Sequence, residues 1–346
     1  MDALERAGQR VELVSTFRSY DATGDAGRQG ALRAQGEALA SQLAQQWLEQ
    51  PAEGRPELWF TYHLYYKAPD WLGPLVSETL RIPYVISEAS YAPKRANGPW
   101  AMSHEATAEA IRKAALVLCP SRDDIPGLEM LIEPRRILHL PPFIDTAPFA
   151  AASANRAALR AAIAAEHGLD AGVPWIAVVA MMRPGDKLAS YRELAAALLR
   201  LKDLRWQLIV AGDGEARSEV EQLLGPKTCF LGSLRQRRIT EVLAASDFCA
   251  WPAVNEAYGM ALLEAQAAGI PVVSCATRGV PEIVVHGRTG LLVRYGDEAA
   301  FTEGVRRLLV DGELRRRLGG EAARHAAAER GLEAAALRIG AALAAL

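Results

Sequence analysis

Two glutamates eight positions apart, Glu256 and Glu264, mark the stretch in which chemistry is most expected. The hydrophobic residues 247–251 predict a buried strand that Pro252 ends, and residues 259–269 have the apolar spacing of a helix. Glu256 should therefore lie in the loop at the C-terminal end of the strand, and Glu264 on the helix. Open parallel sheets bind ligands at this end of their strands, and the N-terminus of a helix favours a phosphate. We expect one carboxylate to meet a reacting group and the other a sugar hydroxyl.

The residues that follow extend the pattern into a long, ordered run. The run resembles the signature of retaining glycosyltransferases of family 4, roughly P-S-x-x-E-G-F-G-x-x-x-x-E-A-x-A-x-G-x-P-V-V and then G-G-x-x-E-x-V-x-x-G-x-x-G. The matching residues are Pro252, Glu256, Gly259, Glu264, Ala265, Gly269, Pro271, Val272, Val273, Gly279, Glu282, Val284, Gly287 and Gly290. The departures are Ala253 for Ser, Ala257 for the first Gly, Tyr258 for Phe and Arg278 for one Gly of the pair.

Length and composition indicate an ordinary globular protein of two domains. The chain has 346 residues, of which 50% are hydrophobic and 23% charged. A net charge of −2 gives no general attraction to nucleic acid. Four widely spaced cysteines favour buried free thiols in a reducing cytoplasm over disulfides or a metal site. With no signal-peptide core and no apolar run of membrane-spanning length, we expect a cytoplasmic protein.

Strands that alternate with helices predict an α/β protein with two doubly wound parallel sheets. The proline-rich residues 141–148 resemble the inter-domain stretch of family 4. We expect an N-terminal acceptor-side domain over residues 1–145 and a C-terminal nucleotide-sugar domain over residues 146–330. Residues 331–346 would form a helix that packs back on the first domain. The resemblance implies the GT-B architecture, in which two Rossmann-like domains face a cleft.

The pattern along the chain predicts individual elements in each domain. In the first, strands are expected at residues 11–17, at 58–63, up to about 87 and at 115–121, with long helices at 30–50 and 101–114. In the second, strands are expected at residues 175–182, 206–212 and 229–232, with helices from 190 and over 235–245. After residue 269 we expect a strand, a turn containing Glu282 and a glycine-flanked hairpin.

The start of the chain departs from family 4, whose members open with a strand and a glycine-containing loop. Here the sequence begins inside the helix that follows them, at MDALERAGQRVELV. The resemblance therefore implies that this opening strand and loop are missing, or that Met1 is not the natural start. We expect a destabilised first domain and reduced activity in their absence.

Several residues of the second domain are candidates to bind the donor. Arg183 and Lys187 follow the first strand of this domain, where cations can neutralise a diphosphate; a solvated loop is the alternative. By resemblance, Gly212 lets the ligand approach closely, and Gly232 lies near the nucleotide base, although a plain turn would also explain it. Tyr258, Gly259 and Met260 open the helix whose N-terminus should meet the phosphates. The resemblance to family 4 implies these donor-binding roles.

Acceptor-side candidates lie in the first domain. His63 ends a predicted strand, and family 4 often has a histidine near the acceptor, although its paired-histidine pattern is not preserved. Glu88 follows the next strand and could bind acceptor hydroxyls or play a structural role. Four aromatic residues would suit stacking on a sugar acceptor, but aromatic residues are commoner in cores, so none is assigned; they are Tyr65, Tyr66, Trp71 and Trp100.

We therefore expect a retaining glycosyltransferase, as in polysaccharide biosynthesis, with Glu256, Arg183, Lys187 and His63 as catalytic residues. Glu264 would bind the donor ribose. The donor would be a UDP- or GDP-sugar, with a hydroxyl compound as acceptor, no metal, no permanently bound cofactor and no nucleic-acid partner. Contact with the inner membrane surface is left open, as is the oligomeric state. Two alternatives remain: a GT-B epimerase or phosphorylase, and a non-catalytic, degenerate glycosyltransferase subunit.

Overall fold

The computed structural model describes residues 1–346, which form two compact units. The first unit comprises Met1–Pro141 and Ala336–Leu346, and the second comprises Pro142–Ala335. Each unit contains one parallel sheet with helices packed on it, so the predicted α/β class is confirmed. None of the helices combines the length and apolar character that crossing a bilayer requires.

The sheet of the first unit has four parallel strands that follow one another in chain order. These strands are β1 (Trp59–Leu64), β2 (Tyr84–Ala89), β3 (Leu116–Cys119) and β4 (Ile137–His139). The helices are α1 (Asp2–Arg6), α2 (Ala26–Leu48), α3 (Gly73–Leu80), α4 (Ala101–Lys113) and α5 (Ile125–Glu129). The apolar run of β3 is buried along its whole length, as expected for a central strand of a parallel sheet.

The sheet of the second unit has six parallel strands in the order β10-β9-β8-β5-β6-β7. They are β5 (Trp175–Val179), β6 (Gln207–Ala211), β7 (Thr228–Gly232), β8 (Phe248–Trp251), β9 (Val272–Cys275) and β10 (Gly290–Val293). Numbered within the unit, this is the 3-2-1-4-5-6 order of a dinucleotide-binding sheet. The strand order therefore reverses between β5 and β8.

Helices cover this second sheet and complete the chain. They are α6 (Ala147–Ala154), α7 (Arg156–His167), α8 (Asp186–Leu199), α9 (Arg217–Leu224), α10 (Gln236–Ala245), α11 (Met260–Ala267), α12 (Val280–Ile283), α13 (Glu298–Val310) and α14 (Gly312–Glu329). The last helix, α15 (Leu332–Leu343), begins in the second unit, and its residues from Ala336 onwards group with the first. The domain bounds given by the sequence remain predictions.

The predicted strand at residues 11–17 is wrong. These residues form no strand, and β1 is the edge of its sheet. Val14 and Phe17 instead pack against the core of the first unit, and the Phe17 N–H donates to Ser15 Oγ at 3.1 Å. The apolar spacing thus reflects side chains that lie against the core, without the backbone ladder that a strand requires.

Two predictions in the second unit also need correction. The expected hairpin near the end of the family pattern is a single strand, β10, which pairs in parallel with β9. The helix expected from Ser190 begins at Asp186, directly after Gly185, whose positive φ (+81°) glycine adopts without steric cost. The earlier start places Lys187 in the first turn of α8.

Candidate functional site

A cavity of about 400 Å³ opens at the C-terminal ends of β5, β6 and β8 in the second unit. Val179, Ala211 and Trp251, the last residues of these strands, lie in its wall. The cavity is therefore beside the point where the strand order reverses, which is where open α/β sheets bind their ligands.

Six of the residues predicted from the sequence lie in the wall of this cavity. They are Lys187, Gly212, Glu256, Tyr258, Gly259 and Met260. Arg183, Gly232 and Glu264 belong to the same unit but do not line the cavity, and His63 belongs to the first unit. The structure therefore brings two regions together: the turn between β8 and α11, and the first turn of α8.

Lys187 and Glu256 form an ion pair inside the cavity. Lys187 Nζ contacts Glu256 Oε2, and the side chains are only 15% and 20% exposed. Lys187 Nζ also lies 5.8 Å from the ring centroid of Trp251, which packs edge-to-face on Tyr191 at 4.9 Å. Partial burial strengthens the attraction between the two charges relative to a pair on the surface. The cavity thus offers a ligand one cation, Lys187, and two carboxylates, those of Glu256 and Asp213.

The loop that carries Glu256 is strained and firmly held. Ala253 and Asn255 adopt the left-handed conformation, with φ values of 57° and 51°, which costs a non-glycine residue about 1–3 kcal/mol. Asn255 Nδ2 donates to Asp186 Oδ2 at 2.8 Å, and the Ala253 carbonyl accepts from Thr277 Oγ1 at 2.5 Å. Contacts of this kind offset the strain and fix the position of Glu256.

The N-terminus of α11 forms another part of the wall. Gly259 caps this helix in the left-handed conformation (φ +75°) and has no side chain that could accept from the first-turn N–H groups. Met260 and Ala261, the first helical residues, line the cavity. Unpaired N–H groups and the positive end of the helix dipole favour an anionic ligand here.

Gly212 lies where two backbone segments approach closely. Its N–H donates to the Gly232 carbonyl at 2.8 Å, and a β-carbon at this position would overlap the carbonyl oxygen of Ala180. The absence of a side chain therefore serves the packing of the strand ends as well as the shape of the cavity. Gly232, with φ +68°, lies next to the ion pair of Asp213 and Arg217, of which Asp213 lines the cavity.

The two remaining candidates of the second unit lie outside the wall. Arg183 is exposed in the loop before α8. The carboxylate of Glu264 accepts a hydrogen bond from Gln236 Nε2 at 2.8 Å. Burial raises the pKa of Glu264 above its ordinary value. The roles assigned to both residues stay predictions.

In the first unit, His63 lies beside Glu88 at the C-terminal ends of β1 and β2. His63 Nδ1 is 3.4 Å from Glu88 Oε1, and the side chains are 50% and 20% exposed. Both residues adopt the left-handed conformation, with φ values of 67° and 63°. A hydrogen bond to Glu88 raises the pKa of His63.

Sequence reasoning missed Tyr62 as a third member of this group. Desolvation, followed by a hydrogen bond to Glu88, raises the pKa of Tyr62 to about 12. The residue as a whole is 71% exposed, and its ring lies 6.1 Å from the ring of His63. The only signal in the sequence was an aromatic residue next to a histidine at the end of a strand.

Comparison with known proteins supports the fold and shows which family part of the chain resembles. The crystal structure of HepE from Anabaena in complex with UDP superposes with a TM-score of 0.70 over 89% of this chain and 82% of that chain, at 18% identity. The chain has the GT-B fold. Residues 160–325 match the sequence model of the glycosyl transferases group 1 family. The match to the family covers a little less than half of the chain, and the structural likeness, at this identity, shows the fold.

Two named relatives are similar over longer stretches. A D-inositol 3-phosphate glycosyltransferase from Nocardia farcinica is 29% identical over 300 residues, which is 81% of this chain and 65% of the relative. An alpha-D-kanosaminyltransferase from Streptomyces kanamyceticus is 30% identical over 244 residues, or 68% of this chain and 60% of the relative. The chain thus spans less than two thirds of the length of either relative.

Proposed function

We propose that the chain is a retaining glycosyltransferase of family 4 that transfers a sugar from a UDP- or GDP-sugar to a hydroxyl group. The observation that carries the proposal is the cavity at the reversal of strand order, whose wall contains Lys187, Glu256 and the N-terminus of α11. The names of the relatives and the UDP bound to the Anabaena protein support it.

In the proposed reaction, the bond between the anomeric carbon and the diphosphate oxygen breaks, and the electron pair leaves with the diphosphate. Lys187 and the N–H groups of α11 stabilise the growing negative charge, with Arg183 as a further cation. Glu256 orients the donor sugar. The acceptor oxygen then forms the new bond on the same face of the sugar, and its proton passes to the departing diphosphate oxygen. Retention of configuration rests on the family pattern.

The ion pair of Lys187 and Glu256 gives this proposal a specific consequence. Each group neutralises the other while the cavity holds no donor. A bound nucleotide sugar would offer the diphosphate to Lys187 and sugar hydroxyls to Glu256, so both charges would exchange one partner for another. A buried charge without a partner is costly. Donor binding would avoid this cost, because each charge would keep a partner.

The other donor-side residues complete the proposed site. Glu264 would accept from the ribose hydroxyls, and Gly212, Gly232 and Tyr258 would shape the space for the nucleotide. We extend the proposal to the acceptor, which the first domain would hold with His63. A cytoplasmic location is proposed as well, supported by the four free cysteines.

The test is to incubate the purified protein with UDP-glucose, UDP-N-acetylglucosamine, UDP-galactose, GDP-mannose and GDP-fucose, with and without a panel of sugar acceptors. We expect acceptor-stimulated release of UDP or GDP from one donor, and release that is about 100-fold slower from the Glu256→Gln variant. Conversion of a donor to an isomer without an acceptor would favour the epimerase. Failure of every nucleoside diphosphate to bind would overturn the proposal in favour of a non-catalytic subunit.

A further inference from the structure

A second cavity of the second unit lies at the opposite end of the sheet from the candidate site. It has a volume of about 310 Å³, and we call it the basic pocket because Arg156, Arg160 and Arg315 line it together with Asp247 and residues 171–174. Pro174 directly precedes β5 and Asp247 directly precedes β8, so the basic pocket lies at the N-terminal ends of these strands. The length of β5, at about 3.3 Å per residue, separates it from the first cavity. A ligand here would not compete with a nucleotide there.

The charges that line the basic pocket do not balance. Asp247 Oδ1 accepts from Arg156 Nη2 at 2.9 Å, and Asp247 Oδ2 accepts from Arg160 Nη1 at 3.0 Å. This carboxylate is therefore shared by two guanidinium groups, and the third, that of Arg315, donates to carbonyl oxygens instead. Three guanidinium groups around one carboxylate leave a formal surplus of two positive charges. Because Arg160 and Asp247 are only 15% and 18% exposed, solvent screens this surplus less than it would at the surface.

Arg156 shows the effect of the surplus charge. Burial lowers the pKa of Arg156, and the neighbouring charges of Arg160 and Arg315 lower it further, whereas Asp247 acts in the opposite direction. The fold thus holds like charges near one another at a cost in free energy. An anion bound between them would reduce that cost, because an opposite charge at close range favours the ionised guanidinium.

The protein itself uses some of the hydrogen-bond donors of these arginines. Arg156 Nη1 donates to the carbonyls of Ala244 and Ser246, and Arg160 Nη1 donates to the Ala245 carbonyl at 2.7 Å. These carbonyls lie at the C-terminal end of α10, where no further helical turn can donate to them. Capping of α10 therefore explains the presence of Arg156 and Arg160, and it does not account for Arg315.

Arg315 retains donors that the protein does not use. It lies near the start of α14, and its Nη1 donates to the carbonyls of Leu308 and Leu309 near the end of α13. A guanidinium also carries N–H groups on Nε and on the second Nη atom, and those of Arg315 have no partner within the chain. Arginine binds phosphate oxygens through pairs of parallel N–H groups of this kind. The basic pocket therefore combines surplus charge with unused donors.

We propose that the basic pocket binds a phosphate group, either free phosphate or the phosphate of a small monoester, with Arg315 as its main contact and Arg156 as a second. A phosphate monoester carries a charge of about −1.5 to −2 at neutral pH, which matches the surplus, whereas a carboxylate carries a single charge. The volume lies at the lower end of the range of ligand pockets, which is roughly 300–1,000 Å³. The proposal does not depend on glycosyl transfer.

The first test is calorimetric titration with inorganic phosphate, with glycerol 3-phosphate and with acetate as the singly charged comparison. We expect Arg315→Gln to weaken phosphate binding by about tenfold, because charge-assisted hydrogen bonds are lost. Arg315→Lys keeps the charge without the paired donors and should retain part of the affinity. Arg316→Gln is the matched control, since Arg316 is the exposed neighbour on α14 and does not line the basic pocket.

The two phosphate compounds distinguish the sources of the ligand. Tighter binding of glycerol 3-phosphate would identify a monoester, and tighter binding of inorganic phosphate would identify the free ion. The proposal would be overturned by the absence of phosphate binding at about 10 mM. Acetate binding as tight as phosphate binding, or an unchanged affinity in Arg315→Gln, would also overturn it.

The second test locates the phosphate with two tryptophans at opposite ends of the sheet. The guanidinium of Arg160 lies 4.1 Å from the ring centroid of Trp175, and Trp251 lines the first cavity. In protein labelled with 5-fluorotryptophan, phosphate should shift the fluorine resonance of Trp175, and Arg315→Gln should reduce that shift. UDP or GDP should shift the resonance of Trp251. Trp175→Phe and Trp251→Phe assign the two resonances, and circular dichroism establishes that each variant is folded.

The two resonances also separate this inference from the proposed function. Phosphate that shifts Trp251 and leaves Trp175 unchanged would be bound in the first cavity, and the proposal for the basic pocket would fail. A shift of Trp175 with phosphate, without any shift of Trp251 by UDP or GDP, would retain the basic pocket and count against the glycosyltransferase.

Discussion

The two units place strained residues at the C-terminal ends of parallel strands in different ways. In the second unit, Ala253 and Asn255 lie in the loop that follows β8, where side chains of neighbouring elements hold them. In the first unit, His63 and Glu88 lie inside adjacent strands and contact each other. A strained loop can fix the direction of one side chain. Strained residues in paired strands can fix the directions of two side chains that contact each other.

The sheets of the two units also differ in their strand order. The second sheet reverses its strand order between β5 and β8, and the cavity lies beside that reversal. The first sheet follows chain order without a reversal. Topology therefore determines the place of the site in the second unit, while in the first unit the place follows from the register between β1 and β2.

The charge pairs of the two regions also differ in kind. Lys187 and Glu256 pair an ammonium group with a carboxylate inside the cavity. The pair of His63 and Glu88 is ionic only while His63 is protonated. Since the pKa of His63 is raised, its stabilisation is complete below the ordinary value of 6.5 and is lost as pH rises through the folded value.

The largest effect is expected from Gly212→Ala, which tests whether the cavity of the second unit depends on close backbone packing. The new β-carbon would overlap the Ala180 carbonyl, and the residue would keep a backbone conformation (φ +156°) that side chains disfavour. We expect a loss of about 3 kcal/mol in the free energy of unfolding, measured with urea. Gly296→Ala, which has positive φ but open space around it, is the control and should lose about 1 kcal/mol. Equal losses would show that the overlap is relieved.

The next largest effect is expected from Glu256→Gln, which removes the charge of the strained loop. If Glu256 orients the donor sugar, kcat should fall by about 100-fold, since small misplacement of a reacting group has that effect. The urea midpoint should change little. Glu215→Gln, an exposed carboxylate on the same unit, serves as the control. A kcat within twofold of the wild type would remove Glu256 from the site.

Part of the cavity wall in the second unit could be predicted from the sequence because several of its residues follow one another along the chain. Glu256, Tyr258, Gly259 and Met260 lie within five positions, and the strand-to-helix turn that positions them has a recognisable pattern. The parallel sheet was predictable as well, since apolar runs alternate with helical spacing. Local pattern and tertiary position agree in this region.

The features that could not be predicted from the sequence depend on contacts between residues that are distant along the chain. The ion pair of Lys187 and Glu256 joins residues far apart in the sequence, and the contact of His63 with Glu88 depends on the register of two strands. A single sequence carries no signal for either contact. The wrong strand at residues 11–17 has the same origin, because apolar spacing alone cannot tell whether a backbone partner exists.

A smaller effect is expected from Lys187→Met, which tests whether the cation serves the diphosphate. Loss of a charge-assisted hydrogen bond should weaken UDP or GDP binding by about tenfold and leave the free nucleoside unchanged. Lys202→Met removes the same charge from an exposed position and is the control. Calorimetric titration with both ligands gives the comparison. Equal weakening of nucleotide and nucleoside would make Lys187 a structural partner of Glu256.

The smallest effect is expected from Glu264→Gln, for which stability and binding should change in opposite directions. Burial raises the pKa of Glu264, so the fold disfavours its ionised form. This cost is absent below the ordinary value of 4.5 and grows as pH rises through the folded value, the reverse of the pH dependence at His63. The uncharged variant should therefore have a slightly higher Tm than the wild type at pH 7 and the same Tm near pH 4.

If the carboxylate accepts from the ribose, the same variant should bind UDP or GDP more weakly by about 1 kcal/mol. Thermal unfolding across this pH range, with Glu215→Gln as control, and calorimetry at pH 7 give both quantities. A lower Tm at pH 7 together with unchanged nucleotide binding would mean that Glu264 stabilises the contact with Gln236 and takes no part in the donor site.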